Sequence, residues 1–436
     1  VAEASPELRK IGIIGMGYVG LTLAAAMAKR GYEVHGVDTQ PDVVDSLNRG
    51  KPHIFEPGVE EAFATLVGER IFVGSELPES GVDAAVISVS TPVNLDTHEP
   101  YLGNLAAAAE HVAKRCSPET LVVVRSTVPV GASRKVVLPA LVDAWGSARL
   151  VMAPERTIQG QALRELVELP QVVGGLDEES LQLGLAMFGG LSAQLVPVST
   201  LETAELVKLT NNCHTDVIYS FGNEVARLTQ RFGLDPLEVI RATNLDYPRP
   251  DIAKPGYVGG GCLSKDPYIM LAAGSSAGYA PPLISAARTV NEKTPVHVAE
   301  RVVELMGSGK TLTVLGWAYK GWPPTDDMRG TPIASMMPVF TEAGITVLGH
   351  DPLVGPAVIN HHGGAPVDLA EGFAQADAVL IITDHPEYRK LDVDGLLAGS
   401  NVKLLFDSWR ILDEKSVTTH GVRYAGLGYE PTGAAR

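Results

Sequence analysis

The chain reads as an α/β protein: two Rossmann-like lobes joined by a long central helix and a helical middle domain. Three observations predict this. Short apolar runs alternate with helical stretches through the first part of the chain, a long helical stretch at residues 200–231 interrupts them, and the alternation resumes at residue 311. Strands spaced by helices form βαβ units and a mainly parallel sheet. A chain of 436 residues exceeds one hydrophobic core, so two to three domains are expected. The expected division is a first α/β domain at 1–198, a central helical domain at 199–305 and a second α/β lobe at 306–436.

Residues 10–14 are the first strand, followed by a glycine turn, an Ala-rich helix at 21–30 and a second strand at 32–37 that ends at Asp38. Further strands are expected at 84–89, 121–125 and 150–153. In the middle, Leu206, Leu209, Cys213, Val217 and Phe221 keep close to the i, i+3/i+4 rhythm of one long helix. More helix is expected at 236–243, 267–277 and 282–303. Central helices of this kind often pair across a dimer, and a homodimer through the long helix is expected. The last lobe has strands at 311–316, 345–349, 378–382 and 402–406. No complete GxGxxG follows its first strand, so it is read as a Rossmann-like lobe without a second dinucleotide, able to hold a mononucleotide. The tail after Tyr429 is rich in Pro, Gly and Ala and reads as loose.

Hydrophobic content of 45% and charged content of 20% are those of an ordinary globular protein. The net charge of −16 gives no nucleic-acid footprint. An anionic substrate must then be held by local Arg, Lys and backbone donors. The three cysteines, Cys116, Cys213 and Cys262, are odd in number and widely spaced, which argues against a disulfide framework or a CxxC metal site. No metal is expected, and a reducing cytoplasm is the natural compartment. Residues 1–10 lack an apolar signal core, and no apolar run reaches the ~18 residues of a membrane span.

Gly15-Met16-Gly17-Tyr18-Val19-Gly20 has the context that gives GxGxxG meaning: a strand before, a helix after, and an acid roughly 20 residues on. Gly15 permits the turn, Gly17 lets a pyrophosphate approach the backbone N–H groups, and Gly20 lets the helix pack on the strand. Asp38 can accept from both ribose hydroxyls and would repel a 2′-phosphate, which favours NAD over NADP. Two further loops are expected at strand ends of the same crevice: Ser90-Thr91-Pro92, and Ser126-Thr127-Val128-Pro129-Val130-Gly131.

Cys262 stands in Gly259-Gly260-Gly261-Cys262-Leu263-Ser264-Lys265-Asp266. A lone Cys is usually a small buried hydrophobe, but flanking glycines and polar residues argue for an accessible thiol. A thiol beside a nicotinamide can trap an aldehyde and carry it on to an acid. Lys208 and Asn212 are four apart on the long helix and share a face, where ammonium and amide can stabilise an oxyanion. Lys208 can also take a proton from an alcohol if burial lowers its pKa. The bland alternative is a solvated Lys beside an ordinary helix Asn. Glu155 ends a strand and can activate water, although a strand-end Glu is more often a salt-bridge partner. Asp266 can orient that base or a water.

Taken together, these motifs resemble the nucleotide-sugar 6-dehydrogenase family, the UDP-glucose/GDP-mannose dehydrogenase superfamily. The resemblance spans almost the whole chain. It rests on residues 13–21, 126–131, Pro154-Glu155-Arg156, residues 205–209 with Asn212, residues 259–266, and Ala318-Tyr319-Lys320 followed by Asp326-Asp327-Met328-Arg329. It implies that two NAD are used in turn while the C6 alcohol of a UDP-sugar becomes a carboxylate, a uronic acid of polysaccharide biosynthesis. It implies that Cys262 attacks the aldehyde, that the thiohemiacetal becomes a thioester, and that Glu155 assists its hydrolysis. Lys208 and Asn212 hold the oxyanion, with Thr127 and Asp266 in support. It further implies nucleotide or sugar contacts for Tyr319, Lys320, Arg410, Tyr257, Gly259 and Gly260. Arg329 reaches the NAD side, and Arg249 reaches a partner subunit's site.

Where the UDP-glucose branch carries Pro-Glu-Phe, this chain has Arg156 and Thr157, then Gln159-Gly160. That resembles the branch acting on UDP-N-acetylhexosamines. Arg156 can hydrogen-bond an acetamido carbonyl or a phosphate, or instead salt-bridge Glu165 or Glu168. UDP-glucose is the alternative sugar. A two-electron hydroxyacid dehydrogenase is the alternative class, but it needs neither the thiol nor residues 311–436.

Overall fold

Eight short apolar segments of the first half pair into one sheet: β1 (Lys10–Ile14), β2 (Glu33–Val37), β3 (Ile71–Gly74), β4 (Ala84–Ile87), β5 (Leu121–Val124), β6 (Arg149–Met152), β7 (Gln171–Gly175) and β8 (Leu195–Val198). Their order is β3-β2-β1-β4-β5-β6-β7-β8, and all neighbours are parallel except β6 and β7. β4, β5 and β7 are buried along their whole length, as expected where helices cover both faces of a sheet. This computed structural model describes residues 8–94, 96–192, 194–248 and 250–430. They divide into two compact units, residues 8–211 with 268–280, and residues 212–267 with 281–430.

Sequence periodicity locates β1, β2, β4, β5 and β6 but passes over β3, β7 and β8. The reasons are local. β3 exposes Phe72, β7 ends in two glycines, and β8 contains a proline, which an edge strand tolerates because it need not donate on its outer side. The first helix, Tyr18–Lys29, starts before the expected residue 21. Gly17 is its extended N-cap, so Gly20 lies inside it.

The long helix runs from Leu201 to Phe232, and the division between units falls within it, after Asn211. The other helices expected in the middle stretch are Pro236–Asn244, Asp266–Ser276 and Pro282–Met306.

The second unit holds a six-stranded parallel sheet: β9 (Thr311–Leu315), β10 (Thr346–His350), β11 (Ala365–Pro366), β12 (Ala378–Ile381), β13 (Leu404–Asp407) and β14 (Arg423–Ala425), in the order β11-β10-β9-β12-β13-β14. The two sheets close their first turn alike. Gly15 N donates to Val37 O at 2.8 Å and Met16 N to Asp38 Oδ2 at 3.0 Å. Gly316 N donates to His350 O at 2.9 Å and Trp317 N to Asp351 Oδ2 at 2.5 Å. Beyond the turn the two lobes diverge. A helix begins at Tyr18 in the first, whereas the next helix in the second is Pro332–Glu342. The second turn therefore offers no helix N-terminus to a pyrophosphate. No helix among the described residues is long and apolar enough to cross a membrane.

Candidate active site

In the first unit the strand order reverses direction between β1 and β4, which places a ligand crevice at their carboxyl ends. Gly15 has φ +94°, and a Cβ there would lie 2.9 Å from Ser88 O. A Cβ at Gly20 would lie 1.9 Å from Gly15 O. At Gly17 nothing lies within 4 Å of that position. The helix Tyr18–Lys29 has no side-chain cap and no acid in its first turn, so its leading N–H groups and open Gly17 side suit a pyrophosphate. Ser88, passed over in the sequence, braces the turn: its hydroxyl donates to Ile14 O at 3.1 Å and Gly15 O at 2.8 Å. Asp38 is half-buried and accepts from Met16 N and Gln40 N. Tyr18 donates to Glu56 at 2.7 Å, and burial followed by the Glu56 charge holds its hydroxyl far above the usual range. Half-buried Val19 is the next residue along.

The neighbouring loops carry the other expected cofactor residues. Asn104 donates to Ser90 Oγ at 3.2 Å, Ser126 Oγ donates to Val89 O at 2.7 Å, and Pro92 accepts at its carbonyl from Tyr101 N. Thr91 is buried, and its Oγ1 has no hydrogen-bond partner among the described residues. Thr127 is half-buried just beyond β5. Glu205 of the long helix, 1% exposed, accepts from Gly131 N and Ser133 N and so fixes the turn after Thr127.

Glu155, three residues beyond β6, is buried against Arg125, the residue after β5. Arg125 Nη2 lies 2.6 Å and Nε 3.2 Å from Glu155 Oε2. Glu155 Oε1 accepts from Arg156 N at 2.6 Å and Thr157 N at 2.8 Å. Burial pushes the carboxyl up, but Arg125, the Thr157 amide and Lys208 outweigh it and hold it below the usual carboxylate range. Lys208 is only 6% exposed, not a solvated helix lysine. Arg156 makes no ion pair with Glu165 or Glu168 among the described residues. Glu165 accepts from Ile158 N and Glu168 pairs with Arg164, while Arg156 Nη1 donates to Pro170 O at 3.3 Å. Arg156 Nε and Thr157 Oγ1 are buried without a partner among the described residues.

In the second unit, Cys262 is exposed within the short helix Gly260–Leu263. Each preceding glycine answers to a different neighbour. An added Cβ would lie 2.1 Å from Gly330 O at Gly259, 2.7 Å from the Tyr319 ring at Gly260, and 2.6 Å from the Arg329 guanidinium at Gly261. Asp266, with no exposure, accepts from Asn212 Nδ2 and pairs with Lys265 at 2.6 Å. Arg288, which sequence reasoning missed, is buried, pairs with Asp216 at 2.7 Å and donates to Leu263 O at 3.0 Å. It thereby ties down the carbonyl next to Cys262.

Burial, the Asp327 charge and Cys262 raise the Tyr319 hydroxyl above its usual range, and Lys320 Nζ lies 5.5 Å from the Tyr319 ring centroid. Arg329, expected on the cofactor side, pairs with Asp327 at 2.6 Å beside Gly261. Tyr257 is buried with its hydroxyl 2.7 Å from Ser408 Oγ. Arg410, at φ 51°, pairs with Asp235 at 2.5 Å and lies 3.8 Å from the Tyr429 ring centroid. Arg249 lies outside the described residues.

Three family models match in chain order. The NAD binding domain of the UDP-glucose/GDP-mannose dehydrogenase family matches residues 9–191, the central domain 202–293 and the UDP binding domain 313–414. The chain belongs to this dehydrogenase family. It is an NAD-dependent nucleotide-sugar dehydrogenase, and the turn at Gly15–Gly20 lies in its NAD binding domain. It is 31% identical to a UDP-N-acetyl-D-mannosamine dehydrogenase of Pyrococcus horikoshii, covering 96% of this chain and 99% of that one. It is also 31% identical to an NDP-N-acetyl-D-galactosaminuronic acid dehydrogenase of Ralstonia nicotianae, over 89% and 94%. The structure of a UDP-glucose dehydrogenase from Pyrobaculum islandicum superposes with TM-score 0.85 at 30% identity, covering 98% and 99%.

Proposed function

We propose that this dehydrogenase oxidises the C6 hydroxyl of a UDP-N-acetylhexosamine to the carboxylate in four electrons, through a thioester on Cys262. The carrying observation is the contrast among its thiols. Burial pushes Cys116 up to about 11 and Cys213 up to about 12, while Cys262 is exposed in a turn that three glycines make possible. Bound NAD supplies the hydride acceptor. Lys208 and Asn212 stabilise the C6 oxygen as negative charge develops on it. Loss of the hydroxyl proton and of the first hydride leaves the aldehyde; the Cys262 sulfur adds to its carbon as the thiolate, and the tetrahedral oxyanion so formed releases the second hydride to leave a thioester. Water then adds to the thioester carbonyl, and the thiolate departs from the carboxylic acid. Glu155, held ionised, accepts a hydrogen bond from that water, with Thr127 and Asp266 in support.

Arg156 and Thr157 support an N-acetylhexosamine, because their buried unpartnered donors suit an acetamido group. The names of the two relatives agree in substrate class. Tyr257, Gly259, Gly260, Tyr319, Lys320 and Arg410 are assigned to the nucleotide sugar, Arg329 to the NAD side and Arg249 to a partner's site. A homodimer is supported by the apolar row Phe221, Leu228 and Phe232 on the long helix, 56%, 58% and 71% exposed. Free thiols support a cytoplasmic setting.

The test is a panel of UDP-N-acetylglucosamine, UDP-N-acetylmannosamine, UDP-N-acetylgalactosamine and UDP-glucose with NAD. About two NADH per sugar are expected, as two hydride transfers demand. One NADH with free aldehyde would overturn the thioester route, and preferred turnover of UDP-glucose would overturn the sugar assignment. Light scattering should give twice the chain mass.

A further inference from the structure

One buried carboxylate has no part in the chemistry proposed above. Glu56, 4% exposed, lies between the helices Pro41–Asn48 and Val59–Leu66. Its Oε2 accepts from the Tyr18 hydroxyl at 2.7 Å and from Gly160 N at 2.7 Å, and its Oε1 accepts from Ala162 N at 2.8 Å. It therefore joins the start of the cofactor helix to the loop after β6, more than a hundred residues away in sequence.

Five amides of residues 156–162 donate to carboxylates. Arg156 N and Thr157 N donate to Glu155, Ile158 N to Glu165, and Gly160 N and Ala162 N to Glu56. Glu155 and Glu165 belong to the loop or to the helix Ala162–Glu168 that succeeds it. Of the three acceptors, Glu56 alone comes from a distant part of the unit. With these five amides engaged, recognition by this loop falls to side chains, and Arg156 Nε and Thr157 Oγ1 are the loop's buried side-chain atoms that lack partners among the described residues. Their aim depends on a backbone that reverses at Gly160, φ +94°, where Glu56 grips it.

We propose that Glu56 is a positioning residue for sugar recognition: it anchors loop 156–162 to the cofactor turn and so holds Arg156 and Thr157 ready for the hexosamine. This rests on the reading that Arg156 and Thr157 meet the sugar. The carboxylate is needed because both oxygens face an N–H donor. An amide at this position would set its own NH₂ against either Gly160 N or Ala162 N. One loop amide would then lose its acceptor.

Glu56→Gln in the full chain tests this. Amide hydrogen exchange over 156–162 should accelerate about tenfold, the scale of one buried hydrogen bond. The KM for the UDP-sugar should rise about tenfold, with kcat within about threefold and the KM for NAD within about twofold. Tyr18→Phe keeps both amide bonds, so exchange over 156–162 should stay at the wild-type rate. Unchanged exchange in Glu56→Gln overturns the anchoring. Faster exchange with an unchanged sugar KM, or equal rises in both KM values, overturns the recognition role. If the wild type turns over no UDP-sugar, the proposed function fails instead, and the exchange measurement still decides the anchoring.

Discussion

Arg125→Met should cost the first unit about 3–5 kcal/mol, the usual loss when one member of a buried ion pair is removed. Arg125 is 1% exposed and Glu155 5%, so water cannot take the missing partner's place. Arg125 also donates to Ala153 O at 3.1 Å and to Gln171 Oε1 at 3.4 Å, and methionine abandons both acceptors. The pair's pH dependence has a definite sign. The Glu155 carboxyl lies below its usual value, so its contribution is complete above an unfolded glutamate pKa of about 4.3 and is lost as the pH falls through the folded value. At pH 7 the whole deficit should appear in equilibrium unfolding by urea. Adding Glu155→Gln removes the stranded charge while keeping an acceptor for the two loop amides. Arg125→Met/Glu155→Gln should therefore recover at least about 1.5 kcal/mol relative to the sum of the single losses. A single-variant loss below about 1 kcal/mol, the worth of an exposed pair, would refute the reasoning. So would additivity of the two changes within about 0.5 kcal/mol.

Three further outcomes are expected. Iodoacetamide at neutral pH should modify exposed Cys262 well before half-buried Cys116 and buried Cys213, whose thiols are pushed up to about 11 and about 12; peptide mass spectrometry reads the order, and Cys262→Ser should stop production of the acid. Gly17→Ala meets no protein atom within 4 Å and has an extended backbone, so stability should be kept or rise by about 0.4–1 kcal/mol. NAD should nevertheless bind at least about tenfold more weakly, 1.4 kcal/mol, by calorimetry. Gly259→Ala drives a Cβ to 2.1 Å from Gly330 O, and thermal unfolding should report an overpacking cost of about 1–3 kcal/mol.

The amino-acid sequence by itself determined the two βαβ lobes, the long helix and the dinucleotide turn. Each depends on neighbours close along the chain: alternating apolar runs, helical periodicity, and glycines at Gly15, Gly17 and Gly20. It also marked Cys262 as accessible, because its flanking glycines and polar residues argue against a buried small hydrophobe. Only tertiary structure decided which charges meet. Arg125 reads as the polar end of an apolar run, yet it sets the ionisation of Glu155 from the adjacent strand. Arg288 reads as one more helix arginine, yet it holds the carbonyl beside Cys262. Glu56 reads as an ordinary loop acid, yet it grips amides 104 and 106 residues away. Turns and helices arise from local dihedral preferences, which a sequence displays directly. Buried hydrogen bonds between distant segments depend on which surfaces pack together, and that is settled only when the sheet has assembled.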